Sequence, residues 1–166
     1  YRSLLAALQR IAALGYTRPG LILQKHHDER LQYRWGAAFH TFQEHHAGIK
    51  ALPPLLVDTF SRESFSAWFR KNKPDVVLSH NTEVIDWMES CGAQLPDTHG
   101  FVSLNVLMKT RPCSGLDLQP RQLGARGAEL LIAQLQRNET GIPEWPSTTT
   151  IPAHWIDGPT LRVAPP

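Results

Sequence analysis

The sequence predicts an α/β protein, a three-layer α/β/α sandwich on a mainly parallel sheet, and three observations lead there. Helix-period and strand-like segments alternate through most of the 166 residues. The strand-like runs, above all residues 75–79 (DVVLS), are short and rich in Val and Leu without polar alternation, as in strands buried on both faces. Residues 73–104 read as strand, loop, helix, loop, strand. Such a unit makes a right-handed crossover, and in open sheets of this kind ligands sit at the carboxyl ends of the strands. Here those ends carry His80, Asn81 and Asn105.

Residues 1–14 place Leu4, Leu5, Leu8, Ile11 and Ala12 on one helical face, and Gly15 ends that helix. A turn holding Arg18 and Pro19 leads into a strand at 20–23. Residues 24–29 form a polar patch with His26 and His27, and a helix is expected over 30–45 with Trp35, Ala38, Phe39 and Phe42 inward. The paired prolines of 51–60 precede LLVDTF, an irregular entry into a strand. Ser61 can cap the next helix, ending near Lys71, and Glu63 suits its positive end ahead of Phe65, Trp68 and Phe69. Glu or Gln is missing at position 64, so no reciprocal capping box forms.

After the strand at 75–79, Thr82 is placed to cap a helix whose inward residues are Val84, Ile85 and Met88, closed by Gly92. A strand at 101–104 follows. Residues 106–114 have no clear period and are expected to be a loop with one helical turn. A brief strand at 115–118 precedes a helix over 120–136 with Leu123, Ala128, Leu131 and Leu135 on its buried side, and a last strand is expected around 148–155.

An apolar share of 42% and this length suit one domain with a real core. The net charge of +2 and pI near 8.7 are mildly basic, with the cations scattered, so no nucleic-acid surface is implied. Cys91 and Cys113 lie in no CxxC pattern, which suits reduced thiols in a cytoplasmic protein, with a single disulfide left open. No apolar run approaches the ~20 residues of a membrane span, and no signal peptide is recognisable. The chain starts without Met at Tyr1, inside an expected helix, and reads as a fragment or a trimmed chain.

Six segments in order resemble the effector-binding domain of lac-repressor-type transcriptional regulators, which share the periplasmic-binding-protein fold. They are ALGYTRPGLIL, the Arg34 helix with WGAAF, PDVVLSHN, LPDTHGFVSLNV, LDLQPRQLGARGAELLIAQL and IPAHWIDGPTLR. The resemblance covers nearly the whole chain. It implies residues 1–166 of a larger effector-binding domain, mostly its second, C-terminal subdomain, with the DNA-binding headpiece and most of the first subdomain absent. It also implies a small-molecule effector, a sugar or sugar derivative, operator DNA bound through that absent headpiece, and a homodimer. In such proteins the helix at 120–136 crosses back to the first subdomain, so in isolation it is expected to show an apolar stripe, with either a dimer that covers it or an altered packing.

The same resemblance nominates Arg34, near the position of a ligand-binding arginine but one residue closer to the following glycine, with Arg30 as its rival. Asn81, Asn105 and His80 complete the expected ligand set. Thr82 and Asn105 stand where the family commonly has Asp, which turns the expected preference toward neutral or anionic ligands. Trp87, Cys91, Leu107 and Met108 are the dimer candidates. Each has a plainer reading: Arg34 a solvated helix residue, Asn81 a helix cap, and Trp35, Trp68 and Trp87 core. His26, His27, His40, His45, His46 and His80 show no HExxH-like spacing, so no metal or other cofactor is expected. The absence of GxSxG, a phosphate loop or GxGxxG leaves no support for an enzyme. The rival function is a secreted solute-binding protein of the same fold, which would require a signal peptide upstream.

Overall fold

The computed structural model describes residues 1–163. In chain order its elements are α1 (Arg2–Ala13), β1 (Pro19–Gln24), α2 (Lys25–Arg30), α3 (Arg34–His45), β2 (Leu55–Val57) and α4 (Arg62–Asn72). Then follow β3 (Val76–Ser79), α5 (Val84–Ser90), β4 (Gly100–Ser103), a 3-10 turn (Val106–Met108), β5 (Ser114–Asp117), α6 (Pro120–Gln136) and β6 (His154–Ile156).

The six strands form one sheet in the order β2-β1-β3-β4-β5-β6, parallel except for the antiparallel β5–β6 edge. Side chains alternate across it. Leu21, Leu23, Val76, Leu78 and Val102 face a core shared with α1 and α3. Ile22, Val77 and Phe101 point the other way, toward Phe65, Trp68 and Phe69 of α4 and Val84, Ile85 and Met88 of α5. This explains the unbroken apolar runs: each of these strands is buried on both faces, and each fully buried large side chain contributes about 1.5–3 kcal/mol. The three-layer sandwich is therefore the architecture adopted.

The amino-terminal ends of β1 and β3 are tied by Asp75. Its carboxylate accepts from the Thr17 and Arg18 amides at 2.7 and 2.9 Å, while the Arg18 guanidinium donates to the Asn72 and Lys73 carbonyls. With one end of this strand pair held, the opposite ends are set side by side. Ser61 caps α4 as its sequence position suggests, accepting from the Ser64 amide at 3.2 Å.

Several expectations are corrected. The polar patch after β1 is helical as α2, and the helix expected from Arg30 starts only at Arg34. Gln32 and Tyr33 break the continuity with φ of 54° and 59°. Buried Asp28 then caps α3 from a distance, accepting from the Trp35 and Gly36 amides at 3.0 and 3.2 Å. A Cβ on Gly36 would meet that carboxylate at 2.8 Å, so a larger residue there displaces the capping group. Thr82 does not cap α5. Its hydroxyl instead pairs with that of Thr110 at 2.9 Å, and Asn81 makes the local turn.

The last strand shrinks to three residues. In α6 no residue is buried, so Leu123, Ala128, Leu131 and Leu135 stand exposed, because nothing among the described residues lies against them. The stripe foreseen for this helix in isolation is present. No described helix is long and apolar enough to cross a membrane.

Candidate functional site

β1 and β3 are neighbours, yet the helices that follow them pack on opposite faces of the sheet, α3 on one and α5 on the other. Such a reversal opens a crevice beyond the carboxyl ends of the two strands. A cleft of ≈ 600 Å³ lies there.

Two of its walls repeat one device. β3 ends in Ser79-His80-Asn81 and β4 in Ser103-Leu104-Asn105, with Ser79 and Ser103 in register. In each, the Asn amide N–H donates to the serine hydroxyl, at 3.1 Å for Asn81 and 3.3 Å for Asn105. Each Asn Oδ1 then accepts the N–H two residues on, from Glu83 at 3.0 Å and from Leu107 at 3.2 Å. The side-chain oxygens thereby fix the turns, which leaves the amide NH2 groups as donors. That of Asn81 reaches the Glu83 carboxylate at 3.4 Å. Asn81 thus performs the turn-making role weighed against it, and it still lines the cleft.

His80 sits between these walls. Its ring meets Trp35 edge to face with centroids 5.1 Å apart and His27 at 5.6 Å. Its Nδ1 is buried without a hydrogen-bond partner among the described residues. Burial, and secondarily the neighbouring His27, push its pKa down to about 4, so the ring is neutral at physiological pH. The His27 pKa is lowered too, first by burial and then by His26 and Arg30.

Of the expected ligand residues, the structure brings together His80, Asn81, Asn105 and Arg30 on this cleft. Arg34 is not among them. It lines a separate cavity of ≈ 740 Å³ with Tyr1, Arg2 and residues of the 148–153 segment, and its guanidinium donates to Gln32 at 3.3 Å. The reason is helical phase: Trp35 turns toward His80, so the preceding residue points about 100° away. A third cavity, ≈ 640 Å³, runs between α1 and the carboxyl-terminal segment, away from the strand ends.

Reading by residue type passed over Trp35, His27, Phe60 and Thr110 as cleft residues. The duplicated Ser-x-Asn at two strand ends was a usable signal for this site. Of the dimer candidates, Leu107 and Met108 are 56% and 71% exposed, and Met108 also borders the cleft. Trp87 and Cys91 are half-buried against the α4–α5 core, Trp87 beside Phe65 at 5.7 Å. Cys91 and Cys113 are both free thiols, and burial raises the pKa of Cys113. Among the described residues no group of three or more His, Cys, Asp or Glu could hold a metal ion.

The sheet, with helices on both faces and a polar cleft at its strand switch, makes this a doubly wound α/β domain. The particular fold is that of the sensor domain of LacI-family transcriptional regulators. A LacI-family regulator from Silicibacter pomeroyi superimposes with a TM-score of 0.73 at 19% identity, over 98% of this chain and 52% of that one. One from Arthrobacter sp. FB24, in complex with lactose, gives 0.70 at 18% identity, over 96% of this chain and 64% of its own. One from Enterococcus faecium with bound ribose gives 0.63 at 18% identity, over 96% and 62%. The chain spans between half and two thirds of these structures' lengths. No protein-family model and no curated protein sequence matches it.

Proposed function

We propose that this chain is the ligand-sensing part of a DNA-binding transcriptional regulator of the repressor type. The observation that carries the reading is the cleft at the β1/β3 switch, where His80, Asn81, Asn105 and Arg30 converge on a space large enough for a small ring ligand. The ligand is a sugar or sugar derivative, as the sugars bound to the Arthrobacter and Enterococcus proteins suggest. The chain acts in the cytoplasm as part of a homodimer, whose DNA-reading headpiece and most of whose first subdomain lie outside these residues. Ligand binding favours one arrangement of the two subdomains over another and so changes the spacing of the headpieces. The protein performs no chemistry on its ligand.

The test is a mobility-shift titration of the full-length protein on DNA flanking its own gene, with and without candidate sugars. The expected result is specific DNA binding that one ligand shifts at least tenfold. Specific DNA binding absent at low salt, together with a secretion signal upstream of Tyr1, would favour a solute-binding protein instead.

A further inference from the structure

The charges around the cleft are unequal. Its guanidinium is Arg30, which has no carboxylate partner among the described residues, and His27 stands one helical turn before it on the same wall. Against these, Glu83 is the only lining carboxylate among the described residues. It is exposed and already receives the Asn81 amide. A neutral sugar is gripped best by ionised acceptors that each take hydrogen bonds from two hydroxyls. Here the side-chain oxygens of Asn81 and Asn105 are occupied in their turns, and donors dominate. The rest of the lining, Trp35, Phe60, Leu31 and Leu118 with neutral His80, offers flat apolar surface for one face of a ring. Apolar walls strengthen any charge pairing made beside them.

We propose that the ligand is a sugar acid of the hexuronate type, its ring against the Trp35–His80 wall and its carboxylate held by Arg30 with His27. This rests on the sensor reading above and adds the ligand's charge. One guanidinium forks onto a carboxylate in a bidentate pair, and an adjacent imidazole completes the shell. A phosphate dianion would leave about one negative charge uncompensated, which argues for the monoanion.

Calorimetric titration of the full-length protein with D-glucuronate, D-galacturonate, D-glucose, D-galactose and glucose 6-phosphate tests this. At least one uronate is expected to bind about tenfold or more tightly than its parent hexose, a factor typical of one charge-assisted pair. Arg30→Gln, at an exposed position, should reduce that preference to about threefold or less. His27→Gln should lower uronate affinity by a smaller factor. A hexose bound as tightly as its uronate, a preference for the phosphate, or a preference that survives Arg30→Gln overturns the assignment and leaves the sensor reading intact. Binding of none of the five probes also overturns it, and the sensor reading is then decided by the DNA titration alone.

Discussion

The burial of His80 makes stability depend on pH even without a ligand. Its folded pKa of about 4 lies below the ordinary value of 6.5, so the folded state refuses a proton that the unfolded chain accepts. Well above pH 6.5 both states are neutral at this position and the full stability is present. As pH falls from there toward 4, the unfolded state alone gains the proton and stability is lost. From these two values the loss between pH 7 and pH 5 is about 2 kcal/mol, approaching about 3 kcal/mol near pH 4. The assay is urea unfolding of the protein and of His80→Gln at pH 7, 6 and 5. The difference in unfolding free energy between the two should change by about 2 kcal/mol in favour of the variant as pH drops over that range. Parallel pH profiles would show that the imidazole is well hydrated, and the buried, unpartnered Nδ1 at the centre of the cleft would be refuted.

Three further outcomes follow from the geometry. Asp28→Ala removes the acceptor of the Trp35 and Gly36 amides and should cost about 1–3 kcal/mol in thermal or chemical denaturation. Gly36→Ala should lose a similar amount by displacing the same carboxylate, and unchanged stability in both would exclude the remote cap. Arg34→Ala should leave ligand affinity within about twofold, since its side chain lines another cavity; a tenfold loss in calorimetry would return it to the site. The 166-residue chain should self-associate through Leu131 and Leu135 of α6, and Leu131→Glu with Leu135→Glu should move it to a monomer in light scattering without loss of helix signal. A chain that is monomeric before substitution would rule out that contact.

Much of the architecture was legible because the strands of a doubly wound sheet are buried on both sides. DVVLS has no polar residue between its first and last positions, and only a two-faced environment accepts that. Ser61 and Gly15 marked helix ends correctly because their roles depend on local backbone chemistry alone. The errors came where distant groups decide. The break between α2 and α3 depends on Asp28 reaching seven residues ahead to the Trp35 amide, a contact that no local period reveals. Continuous helical spacing through Arg30 therefore hid the break, and with it the phase that turns Trp35 into the cleft and Arg34 out of it. The inward side of α6 was identified by spacing, but burial requires an opposing surface and spacing cannot supply one. At the site, residue type found His80, Asn81 and Asn105 because they end strands. It missed His27 and Phe60, whose place on the cleft is set by neighbouring strand ends rather than by any pattern of their own.

Hydrogen exchange of the full-length protein, with and without a small molecule found to shift DNA binding in the proposed titration, tests the proposed sensing role of the cleft most directly. Slowed exchange is expected in residues 24–30, 79–83 and 105–110, the segments that surround the cleft. Slowing confined to residues 1–6 and 148–153, around the cavity that Arg34 lines, would contradict it.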